Sequence, residues 1–163
     1  VKPRKTFVVS FDGASRGNPG PAAYGVHSVS GVDVGEAIGI ATNNVAEWRG
    51  FLAALDAALA SGAEDVEVRA DSELVLKQFR GEYRMKAAHL AGYLVEARAK
   101  ARRIPHLKVV HVPRAENRAA DALANRALDA LAKKASAPPA ANAPAQAELF
   151  PSSPWKKWKA PRA

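Results

Sequence analysis

Three strand-like segments crowd the start of the chain, with no room between them for a helix. Thr6 to Phe11 forms the first, and Ala22 to Ser30 and Val32 to Ala41 follow closely. Parallel neighbours need a crossover of about a dozen residues or more, so segments this close must run antiparallel. Gly13, Gly17 and Gly20 mark the turn after the first segment, and Ser30-Gly31 joins the second to the third. The chain is committed early to an antiparallel meander, and everything after Ala41 must be built onto it.

Beyond Ala41 the period changes. Asn43 or Asn44 is placed to cap a helix whose apolar side is Phe51, Leu52, Leu55, Ala58 and Leu59, and Gly62 ends it. Asp65 to Ala70 reads as a fourth strand. Ser72 to Phe79 reads as a short helix ending near Gly81, and Leu90 to Arg103 as another, stopped before Pro105. Leu107 to Val112 is a fifth strand, and Ala119 to Lys133 a final helix with Leu123, Leu128 and Leu131 facing inward. The expected class is α/β: a five-stranded mixed sheet, the meander continued by parallel strands through helical crossovers, flanked by helices.

At 163 residues the chain fits one core-bearing domain, and with no cysteine it has neither disulfides nor thiolate metal sites. No apolar run approaches the roughly 20 residues of a membrane span, and Val1-Lys-Pro-Arg-Lys-Thr lacks a signal-peptide core, so no membrane partner and a cytoplasmic location are expected. Residues 1–134 carry 20 Lys and Arg against 15 Asp and Glu. Between Lys77 and Lys108 nine basic residues face only Glu82 and Glu96, a local surplus that points to a polyanionic substrate.

Four acids stand at element boundaries: Asp12 after the first strand, Glu47 at the start of the first helix, Asp71 after the fourth strand and Asp121 in the last helix. Singly, each reads as a cap or surface charge. Brought into one cleft they would repel unless hard cations neutralised them, so their convergence implies Mg²⁺ or Mn²⁺.

The segments Asp12-Gly-Ala-Ser-Arg-Gly-Asn-Pro-Gly-Pro, Thr42-Asn-Asn-Val-Ala-Glu, Ala70-Asp-Ser and Asn117-Arg-Ala-Ala-Asp together resemble the type 1 ribonuclease H family over roughly residues 5–133. The resemblance implies that family's three-layer fold and endonucleolytic cleavage of RNA paired to DNA, leaving 5′-phosphate and 3′-hydroxyl ends. It also implies Asp12, Glu47, Asp71 and Asp121 as ligands of two Mg²⁺ ions, with Mn²⁺ as an alternative. A pair of ions about 3.5–4 Å apart would be bridged by Asp12, with Glu47 and Asp71 on one and Asp121 on the other. By the same resemblance Gly13, Ala14 and Ser15, with Asn43 and Asn44, would sense the RNA 2′-hydroxyl, and Asn18 and Thr42 would grip a DNA phosphate.

Two departures from the best-known bacterial pattern qualify the substrate. The loop before Asp121 has no histidine, and Arg114, with Arg118 second, would take that place in an electrostatic role. The segment Arg80-Gly-Glu-Tyr-Arg-Met-Lys-Ala-Ala-His is short and lacks the tryptophan of a basic protrusion, which leaves double-stranded RNA open as a further substrate. A non-catalytic hybrid- or RNA-binding module and an integrase-like nuclease acting on DNA are the competing readings. The intact acids argue against the first; the asparagine pair and the glycine turn argue against the second.

From Ala135 an Ala/Pro-rich stretch reads as a flexible linker, so residues 1–134 are expected to be the catalytic domain and 135–163 a linker and tail. Within the tail Gln146, Leu149 and Phe150 match a sliding-clamp-binding pattern, and Trp155 and Trp158 among lysines suit nucleic-acid contact.

Overall fold

The computed structural model describes residues 3–136. Strands β1 (Phe7–Ser15), β2 (Gly20–Ser28) and β3 (Val32–Ala41) come first, followed by helix α1 (Asn43–Ser61) and strand β4 (Asp65–Ala70). Helices α2 (Glu73–Arg80) and α3 (Ala88–Ala101), strand β5 (His106–His111), a 3-10 turn (Arg114–Glu116) and helix α4 (Arg118–Ser136) complete the order. The sheet runs β3-β2-β1-β4-β5. Its first three strands pair antiparallel, and β1–β4 and β4–β5 pair parallel, as the crowding of the early strands and the later helical crossovers require.

One face of the sheet carries the core. Val9, Phe11, Val66 and Val68 from the strands meet Trp48, Phe51 and Leu55 of α1, with Val75, Leu76 and Leu90 from α2 and α3 behind them. Phe11 stacks on Phe51 at 5.3 Å between ring centroids, and Phe79 meets Phe51 edge-on at 4.9 Å. Such pairs add about 0.5–1.5 kcal/mol beyond the area they bury. The buried Trp48 indole donates to Gln78 Oε1 at 3.3 Å, which ties α1 to α2. The opposite face takes α4, whose buried residues Ala120, Ala124 and Leu128 are spaced one turn apart.

Element bounds differ from the sequence expectations in three informative places. β1 continues through Asp12 to Ser15, so Gly13 lies in the strand rather than in the turn, which is left to Gly17 with φ 98°. Thr42, and neither asparagine, caps α1: its hydroxyl accepts from the Val45 N–H at 3.2 Å. Gly62 closes α1 in the left-handed conformation, and Gly81 does the same for α2. The 3-10 turn before α4 had no separate sequence signal. Among the described residues no helix is long and apolar enough to cross a membrane. Gln146, Leu149, Phe150, Trp155 and Trp158 lie outside the described residues.

Candidate active site

Asp12 and Asp71 are brought side by side by strand register. β1 pairs with β4 only from Phe7 to Ser10, opposite Val66 to Arg69, while its pairing with β2 runs on to Ser15. β1 and β4 therefore part just before Asp12, and Asp71 follows Ala70, the last residue of β4. Both acids sit at the carboxyl ends of the central parallel strands, where sheets of this kind leave a crevice for ligands.

Glycines bring the other two acids in. Phe11 faces α1, so its neighbour Asp12 points to the opposite face, toward α4. In the sheet Asp12 lies opposite Gly25, and Gly25 opposite Gly35. A Cβ on Gly25 would fall 2.1 Å from the Ala120 carbonyl oxygen, and one on Gly35 2.4 Å from that of Leu123. The helix thus rests on bare sheet backbone, which brings Asp121 close enough to Asp12 to help raise its pKa. On the other face a Cβ on Gly13 would fall 2.3 Å from the Glu47 nitrogen, so only glycine lets the first turns of α1 settle there. The Gly13 backbone N–H, near both carboxylates, partly offsets the upward push on Asp12 and Glu47.

The result is an acid cluster in which Asp12 and Glu47 are held out of water while Asp71 and Asp121 stay half-buried. Asp12 and Glu47 are each 7% exposed. Burial first, then the charge of Asp71, pushes the Asp12 carboxyl up to about 8. Burial, then the charges of Asp12 and Asp71, raises Glu47 well above the usual carboxylate range. Glu47 Oε2 is buried without a hydrogen-bond partner. A buried carboxylate oxygen left unpaired among other acids is costly, and a cation removes the cost at a stroke. Among the described residues no three acidic or histidine side chains close on a single point as a ready ligand set. Mg²⁺ takes one or two carboxylates directly and keeps several waters, so it does not require such a closed set. The donor set, all oxygen and acidic, fits a hard divalent cation.

Around the cluster, the hairpin turn and the start of α1 are linked. Asn18 Oδ1 accepts from the Asn43 N–H at 3.0 Å, which leaves the Asn18 amide protons as outward donors. The Thr42 hydroxyl, used as an acceptor in capping, keeps its own proton to donate. Ala14 and Ser15 run along β1 beside them, Asn43 is exposed and Asn44 half-buried. Arg114, largely exposed, approaches Asp121 Oδ1 at 4.0 Å, whereas Arg118 begins α4. His111 ends β5 on the surface. Sequence reasoning missed two contributions. Gly25 and Gly35 carried a faint signal, since glycine inside a strand often marks close approach of another backbone. Asn117 was noted within its motif but given no role.

The family model described as reverse transcriptase-like matches residues 11–127. The crystal structure of RNase H1 from the halophilic archaeon Halobacterium salinarum matches with a TM-score of 0.74 at 46% identity, covering 77% of this chain and 99% of that one. The chain belongs to the type 1 ribonuclease H family. Ribonuclease HI of Halobacterium salinarum is 49% identical over 119 residues, 70% of this chain and 60% of the relative. The solved structure of LC11-RNase H1 in complex with an RNA/DNA hybrid matches with a TM-score of 0.71 at 34% identity, covering 77% of this chain and 99% of that one. The chain spans only 34% of the length of the Mycobacterium relatives that it matches at 45% identity. In this member of the ribonuclease H family, the segment joining β5 to α4 contains no histidine and presents Arg114 to Asp121.

Proposed function

We propose that the chain is an endoribonuclease that hydrolyses the RNA strand of RNA/DNA hybrids and leaves 5′-phosphate and 3′-hydroxyl ends. The observation that carries this reading is the acid cluster, with the buried Glu47 Oε2 unpartnered beside a buried Asp12 that resists ionisation. Asp12, Glu47, Asp71 and Asp121 would hold two divalent ions, Mg²⁺ or alternatively Mn²⁺. Bound there, such ions supply Lewis-acid stabilisation of the phosphate and a more acidic water. The protein's own part is positional. Gly13, Ala14 and Ser15 of β1, with Asn43 and Asn44, would present backbone and amide groups to the shallow groove where the 2′-hydroxyl marks RNA. Asn18 and Thr42 offer the outward donors for a phosphate of the DNA strand. An arginine cannot shuttle protons, so beside Asp121 the Arg114 guanidinium would steady phosphate charge. The LC11 structure with its hybrid supports this substrate class.

In this proposal residues 1–134 form the catalytic domain, and residues 135–163 form a linker and tail that engages a sliding clamp through Gln146, Leu149 and Phe150. Its expected setting is primer and hybrid removal in the cytoplasm during replication and repair. Unchanged clamp binding after Leu149→Ala with Phe150→Ala would dispose of the tail assignment. The substrate class is tested by incubating matched RNA/DNA, RNA/RNA and DNA/DNA duplexes with Mg²⁺ or Mn²⁺ and either wild type or Asp71→Asn. The expected result is metal-dependent cutting of the RNA strand in the hybrid, lost in the variant. Cutting of RNA/RNA as well would widen the substrate class, consistent with the short, tryptophan-free link between α2 and α3. No metal-dependent RNA cleavage by the wild type would overturn the reading.

A further inference from the structure

Asn117 stands between the 3-10 turn and α4, and its side chain is buried, with 2% of the residue exposed. Its Nδ2 donates to the Phe11 carbonyl oxygen at 2.8 Å and to Asp71 Oδ1 at 2.9 Å. Its backbone carbonyl accepts from the Asp121 N–H at 3.1 Å. One residue thereby touches the peptide just before Asp12, the carboxylate of Asp71 and the backbone of Asp121. These contacts bridge 106 residues to β1 and 46 to the end of β4.

Both side-chain partners are acceptors, so the amide cannot be turned over: the NH₂ group must face them. That orientation leaves Asn117 Oδ1 buried with no partner. Buried polar atoms are nearly always satisfied, so this exception asks for a reason. The donor to Asp71 Oδ1 also fixes the rotation of that carboxylate, as groups behind metal ligands characteristically do.

We propose that Asn117 is a positioning residue that locks the segments bearing Asp12, Asp71 and Asp121 into the register a divalent cation needs. This inference rests on the assignment of the four acids as cation ligands. It is tested by calorimetric titration of Mg²⁺ or Mn²⁺ alone into wild type, Asn117→Ala and Val66→Ala. Val66 is a core residue at the opposite end of β4, so Val66→Ala lowers stability without touching the site. Asn117→Ala is expected to bind the cation about 10–100-fold more weakly, and Val66→Ala to bind it as wild type does. An Asn117→Ala protein of lowered stability but wild-type cation affinity would overturn the proposal. If the wild type takes up no cation, the underlying ligand assignment fails instead. Should Asn117→Ala not fold, NMR of the wild type decides. The Asn117 side-chain amide signals should shift along a Mg²⁺ titration, and signals unmoved at saturation would refute the role.

Discussion

Asp12 carries a heavy electrostatic burden, and its consequence is a stability that depends on pH in an unusual direction. An acid whose folded-state pKa lies above its unfolded value stabilises the fold below the unfolded value, and that stability is lost as pH rises through the folded one. For Asp12 the window runs from its ordinary value of 3.8 up to about 8. Without divalent cations the protein should therefore lose stability across that window, and Asp12→Asn should recover on the order of a few kcal/mol at its alkaline end. Thermal unfolding of both proteins in EDTA at several pH values checks this; equal pH dependence in the two would contradict it. The four acids were legible in the sequence because each sits in a short segment with its own signature. The work of Asn117 was not, because its partners, Phe11 and Asp71, are remote in sequence and nothing local encodes their meeting. Thr42 takes the cap because the helix begins one residue earlier than the asparagines suggest: Thr42 is extended, its carbonyl accepts from the Ala46 N–H at 3.1 Å, and Asn43 is already the first helical residue.

Among the elements, α4 is the one whose seat matters most for the acids. It rests on Gly25 and Gly35 and buries only small residues and Leu128. Gly25→Ala would place a methyl group against the Ala120 carbonyl, so the helix must lift. Overpacking of this kind costs about 1–3 kcal/mol. Because Asp121 rides on the lifted helix, Gly25→Ala should also weaken Mg²⁺ binding, whereas a core change such as Val66→Ala should not. Urea unfolding with and without Mg²⁺ separates the two effects: a variant that loses stability but keeps the full Mg²⁺ increment would refute this account of α4. Strand and helix types were legible from periodicity and caps. The length of β1 was not, since Gly13 reads locally as a turn residue. Its pairing with Tyr24 of β2 keeps it in the strand, and the close approach of Glu47 is what requires a residue without Cβ there.

Over the whole molecule, the order β3-β2-β1-β4-β5 follows from the early meander and the later crossovers, and it puts β1 at the centre, with β4 and β2 on either side. That central strand delivers Asp12 to the point where parallel pairing stops. The topology thus makes the site: Asp71 arrives from β4, Glu47 from α1 on one face and Asp121 from α4 on the other. The strand directions could be read from segment spacing, the order across the sheet could not, and the convergence of the acids could be expected only through likeness to a family. The unpaired Glu47 oxygen and the glycine seats are visible solely in three dimensions. The most direct measurement of the central claim follows the RNA strand of an end-labelled RNA/DNA hybrid, with wild type or Asp12→Asn, in Mg²⁺ or in EDTA. The account predicts internal cuts in the RNA strand by the wild type in Mg²⁺, with none in EDTA and a loss of at least about 100-fold in Asp12→Asn, on the scale of removing one strong electrostatic contact to the transition state. Cleavage that persists in EDTA, or an Asp12→Asn protein as active as the wild type, would contradict it.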